Sequence, residues 1–134
     1  MATSKITYLG ELRTSSIHIN SGSEIISDAP VDNHGRGEAF SPTDTVANAL
    51  ASCMFTIMAI KASEMNIDFS GSTAEVTKIM GTDPRRITEI QVTFSMSINP
   101  DEKNKIILER TAMTCPVFYS LHPDIIKKVH FNWQ

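Results

Sequence analysis

The sequence predicts an α+β fold, an antiparallel sheet with two helices packed on it. Three observations lead there. Residues 41–65 join a helix-start signal to a nearly unbroken run of small and apolar residues. Residues 87–99, ITEIQVTFSMSIN, alternate apolar and polar with the period of a strand that has one packed face. Residues 4–28 are rich in β-branched and aromatic residues and are interrupted by turn formers. With 134 residues, 41% hydrophobic and 20% charged, the chain suits a single globular domain, 1–134. It shows no linker, internal repeat or low-complexity segment.

The elements follow in order. KITYLGELRTSSIHIN reads as β, NSGS at 20–23 as a turn cluster, and EIISD as a further strand. Residues 29–40, APVDNHGRGEAF, hold Pro, Asp, Asn and two Gly and read as a flexible loop. Ser41 is a good N-cap, Pro42 suits the first helical position, and Asp44 completes an S-x-x-D capping pattern. The helix that follows is apolar all round, which predicts burial, and ends in water at Lys61, Ser63 and Glu64. Two strands, 69–81 and 87–99, are joined by the turn DPRR. In the second, Ile90, Val92, Phe94, Met96 and Ile98 share a face. Asn99-Pro100-Asp101 opens a second helix over 101–114, with Leu108, Ala112 and Cys115 on one face. CPVFYSLHP breaks and restarts it. IIKKVHFNW closes the chain as a strand, with Val129, Phe131 and Trp133 on one face.

Composition excludes several partners. The net charge is −3, and no basic run exceeds the pairs Arg85-Arg86 and Lys127-Lys128. Nucleic acid and anionic membrane both need a concentrated basic surface, so neither is expected. The opening MATSKITYLG lacks the apolar core of a secretory signal, and no stretch reaches the roughly 20 apolar residues of a membrane span. A cytoplasmic protein is expected. In that reducing compartment two cysteines are not a structural framework, which leaves a regulated or catalytic pair open.

Cys53 lies in NALASCMFTIMAI, amid Leu50, Met54, Phe55, Ile57 and Met58. A free cysteine there is ordinarily a small core residue. A reactive one must be a thiolate, which apolar surroundings disfavour. Cys53 therefore needs a cation from another element, because Lys61 is more than two helical turns away. Arg36, in the Gly-flanked loop before the helix, and Arg13, in the first strands, are the two candidates; Arg85, Arg86 and Arg110 read as solvated charges. Cys115, before Pro116, either packs with Leu108 and Ala112 or meets Cys53 across the fold. His18, His34, His122 and His130 show no metal-pair spacing, and the chain has no C-x-x-C, dinucleotide fingerprint, P-loop or G-x-S-x-G.

AFSPTDTVANALASC, followed 62 residues later by TCPV, resembles the OsmC/Ohr family of thiol-dependent hydroperoxide reductases. The order of elements agrees over essentially the whole chain, and the N-terminal segment is similar to a divergent OsmC-like branch. The resemblance implies an OsmC-like two-layer fold with a long central helix carrying Cys53 and a second helix ending at Cys115. It implies an intertwined homodimer with active sites at the interface. It makes Cys53 the peroxidatic thiol and Cys115 the resolving one, with an organic hydroperoxide as substrate, a dithiol reductant, and no metal, flavin or haem. One position departs. The family peroxidases carry a glutamate just after the S-P pair that holds an arginine against the thiolate; here it is Thr43. Asp44 lies nine residues before Cys53, about 180° around an ideal helix, and reads as a cap. Glu38 on the preceding loop is the alternative acid. Arg13 and Arg36 both fit places where the family carries its arginine. That departure keeps a second reading open, a non-catalytic redox-responsive or small-molecule-binding dimer. A third reading has both cysteines inert and apart.

Overall fold

The computed structural model describes residues 1–134. The chain divides into two compact units, Met1–Thr45 and Val46–Gln134.

The N-terminal unit is a three-stranded antiparallel sheet in the order β1 (Ser4–Gly10), β2 (Arg13–His18), β3 (Glu24–Asp28). The β1–β2 connection lies inside what reads in sequence as continuous β. Gly10 pairs with Arg13, so Glu11 and Leu12 alone make the turn, with φ of 53° and 63°. A two-residue hairpin of type I′ needs this left-handed geometry at both positions, usually from Asn or Gly. Neither is present, so no local signal marks the turn. The Tyr8 hydroxyl accepts a bond from the Leu12 N–H at 3.2 Å and helps hold it.

The segment after β3 is a loop, as its residues predict, with one ordered turn inside it. Val31–Asn33 form a single 3-10 turn. Gly35 and Gly37 donate backbone N–H groups to the carbonyls of Pro30 and Ala29. A Cβ at Gly35 would lie 1.7 Å from the Ala29 carbonyl oxygen, so glycine there answers a close approach.

Helix α1 (Pro42–Glu64) begins as its cap predicts. The Ser41 hydroxyl accepts the Asp44 N–H at 3.0 Å, and the Asp44 carboxylate accepts the Ser41 N–H at 3.0 Å, a reciprocal capping box. By length and composition α1 could cross a membrane, more than the sequence reading allowed. Here it supplies the core of the C-terminal unit, through Ala47, Leu50, Ala51, Met54, Met58 and Ala62. It is not buried all round, however. Val46 and Ile60 remain exposed, on a stripe with Ala49 and Cys53 at helical spacing.

The second sheet has the order β4 (Thr73–Gly81), β5 (Arg86–Met96), β6 (Ile126–Trp133). Its inner face is Ile90, Val92, Phe94 and Met96, all buried as the alternation predicts. The β4–β5 pair is antiparallel, but β6 runs parallel to β5, against the expectation of antiparallel sheets throughout. The chain between them crosses through α2 (Glu102–Ala112) and α3 (Pro116–Ser120), and such a crossover returns a strand in the same direction. Aromatic rings tie helix to sheet. Phe94 meets Phe55 edge-on at 4.8 Å and stacks on Phe131 at 4.9 Å.

Candidate active site

The structure brings the two cysteines together. Cys53, half-buried on the fourth turn of α1, neighbours Cys115 and helps to raise its pKa. No disulfide joins them. Cys115 is fully buried in the core with Leu108 and Ala112, on the face that the i, i+4, i+7 spacing predicts. Cys115 thus packs in the core, as one reading has it, and also neighbours Cys53. That proximity removes the reading in which the cysteines lie apart.

Cys115 also has a structural duty. It is the N-cap of α3, and its Sγ accepts the Phe118 N–H at 3.2 Å. Pro116 at the first helical position fixes the backbone there. Burial pushes the Cys115 thiol up from its ordinary value. The Phe118 N–H pulls the other way, and the bond and charge of Cys53 raise it further. Cys115 is thus held as the thiol at neutral pH, and its nucleophilic form grows as pH rises toward the raised value. We expect any attack by Cys115 to quicken about tenfold per pH unit above neutrality, until its own pKa is reached. The lifetime of an oxidised Cys53, trapped with dimedone at successive pH values, measures this.

The candidate arginines occupy separate networks in the N-terminal unit. Arg13 Nε and Nη2 donate to the two carboxylate oxygens of Asp28 at 2.7 and 2.8 Å, a two-bond fork. Nη2 also donates to Glu38 at 3.3 Å. The Asp28 side chain is 0% exposed and that of Arg13 is 25% exposed. Arg13 holds the Asp28 carboxyl below the usual carboxylate range, mainly through the hydrogen-bonded fork, against the cost of burial. Arg36, by contrast, pairs with Glu11, which is 78% exposed. Glu38 thus reaches Arg13, as the alternative acid of the sequence reading would.

Asp28 is the residue that sequence reasoning missed. The signal was present: Arg13 and Asp28 face each other across the β2–β3 pair, and reflecting the hairpin through its turn places them opposite.

The histidines spend their rings locally. His18 bonds Ser21, His122 accepts the Asp124 N–H, and His130 bonds Asn132. No group of three His, Cys, Asp or Glu side chains has metal-binding geometry.

No curated protein matches the chain. The solved structure of a Psychrobacter arcticus protein, provisionally named an osmotic stress induced and detoxification response protein, is 57% identical. It superposes with a TM-score of 0.96 over 98% of this chain and 96% of that one. An organic hydroperoxide resistance protein OsmC from Legionella pneumophila shares the fold at 13% identity, TM-score 0.76, over 98% of both chains. An organic hydroperoxide resistance protein from Elizabethkingia anophelis does so at 14% identity, TM-score 0.76, over 100% of this chain and 98% of that one. The family described as OsmC-like protein matches residues 35–129, a stretch that holds Arg36, all of α1 and both cysteines. The chain belongs to the OsmC family.

Proposed function

We propose that this protein reduces organic hydroperoxides with Cys53 as the peroxidatic thiol and Cys115 as the resolving thiol, in oxidative-stress defence. The observation that carries the reading is that half-buried Cys53 neighbours buried Cys115 closely enough to help raise its pKa. The hydroperoxide-resistance names of the Legionella and Elizabethkingia proteins support it. In the proposed reaction the Cys53 thiolate attacks the terminal oxygen of the hydroperoxide. The O–O bond breaks, the alkoxide takes a proton and leaves as alcohol, and Cys53 becomes a sulfenic acid. Cys115, as thiolate, attacks that sulfur and displaces hydroxide, which leaves as water, forming the disulfide. A dithiol then returns two electrons and two protons. No metal, flavin or haem takes part in this scheme, and a cytoplasmic setting supplies the dithiol.

We further propose a homodimer in which the whole chain works as one domain. The N-terminal unit buries only Ser15, Asp28 and Ser41, while Ile6, Tyr8 and Ile25 are exposed on one face of its sheet. A second copy would cover such a face, and the Val46–Ile60 stripe of α1 beside Cys53 as well. Sedimentation equilibrium should return twice the chain mass of 14.8 kDa. A monomer at micromolar concentration contradicts the assembly.

The second reading, a non-catalytic redox-responsive dimer, is favoured by Thr43 standing where the family peroxidases carry glutamate. Stopped-flow mixing of reduced protein with cumene hydroperoxide separates the two. Rapid loss of thiols with turnover on dithiothreitol supports catalysis, and its absence supports the alternative.

A further inference from the structure

We infer that the hollow between α3 and the start of β6 is a binding site for a small monocarboxylate with an apolar body, held by the Lys127 ammonium. Phe118, Tyr119, Leu121, Pro123, Ile125 and Lys127 line a cavity of about 560 Å³. Small-molecule sites usually run from roughly 300 to 1,000 Å³ and set a few polar groups in an apolar wall. Here five of the six lining residues are apolar or aromatic, and Lys127 is the only charge. None of the six belongs to the faces that a second copy would cover, the Ile6, Tyr8 and Ile25 face and the Val46–Ile60 stripe.

Lys127 is the misfit that carries the inference. Along β6 the half-buried residues recur with a period of two, at Lys127, Val129, Phe131 and Trp133. The parallel register sets Lys127 beside buried Ile90, in line with Val92, Phe94 and Met96 on the inner face of the sheet. A lysine thus holds a place that the pattern gives to an apolar side chain. Its ammonium lies 5.2 Å from the centre of the Phe118 ring and donates to the His122 carbonyl at 3.2 Å. An ammonium has three donors, so two are left without a protein acceptor. No carboxylate pairs with it. Asp124 turns to His122 at 3.8 Å, and Glu89 pairs with the neighbouring Lys128 at 3.4 Å. A half-buried cation with no acidic partner is costly against an apolar wall, and a ligand carboxylate supplies both the opposite charge and the acceptors. One ammonium with no second cation beside it suits a single negative charge rather than a phosphate. Leu121, Pro123 and Ile125 give the ligand's apolar body a surface to cover.

Octanoate is the probe that tests this, added to the full chain labelled with nitrogen-15, with octan-1-ol and octylammonium as its uncharged and cationic counterparts. Octanoate should shift the amide signals of residues 118–127 to saturation and bind about tenfold more tightly than either counterpart. Lys127→Gln should weaken octanoate about tenfold and leave octan-1-ol binding unchanged. Lys127→Arg, which keeps the charge, should retain octanoate binding. Equal weakening in both variants would trace the loss to packing and overturn the inference. So would equal binding of octanoate and octan-1-ol, full octanoate affinity in Lys127→Gln, or the lack of a saturable shift at residues 118–127 with millimolar octanoate.

Discussion

Cys53→Ser reduces consumption of cumene hydroperoxide to the uncatalysed background, and Cys115→Ser leaves a single turnover. The two variants differ because the proposed roles differ. A serine hydroxyl at position 53 is not ionised near neutrality and cannot attack the peroxide oxygen as a thiolate does. Without Cys115, one equivalent of peroxide is still reduced, and Cys53 stops as a sulfenic acid that dimedone traps. Neither loss is explained by unfolding. Cys53 is half-buried, and serine differs from it by one atom. At position 115 a serine oxygen can accept the Phe118 N–H that the sulfur accepts now, so the start of α3 is kept. Steady turnover by Cys115→Ser with dithiothreitol would mean that the reductant reaches Cys53 directly.

Phe94→Ala destabilises the fold by about 3–5 kcal/mol, the usual cost of removing a fully buried aromatic side chain. Phe94 is 0% exposed and sits between Phe55 of α1 and Phe131 of β6. Its loss leaves a cavity between helix and sheet and removes two ring contacts together. Thermal unfolding should begin on the order of 10 °C lower. Phe131→Ala, at a half-buried ring on the last strand, costs less. If the two variants unfold at the same temperature, the ring stack is not centred on Phe94.

Much of this was legible in the sequence, for physical reasons that can be named. The α1 start was readable because Ser41, Pro42 and Asp44 act over a single turn. The inner face of β5 was readable because a period of two survives any tertiary context. The pairing of β6 was not, since its parallel direction depends on how α2 and α3 cross between the strands. The Glu11-Leu12 turn was hidden because its residues carry no turn preference. The burial of α1 was overestimated because an apolar helix gives no sign of which stripe its own chain covers. At the candidate site, both cysteines could be singled out but their meeting could not, since 62 residues separate them. Arg13 could be singled out, yet its buried partner Asp28 was passed over, although the hairpin register places the two opposite.

The central claim is that Cys53 and Cys115 form one redox pair. Its most direct test is the mass of the reduced protein before and after one equivalent of cumene hydroperoxide, followed by proteolysis without reductant. The account predicts loss of two hydrogen atoms per chain and a peptide in which Cys53 is bonded to Cys115. Unchanged thiols after exposure, or a bond from either cysteine to some other partner, would contradict it.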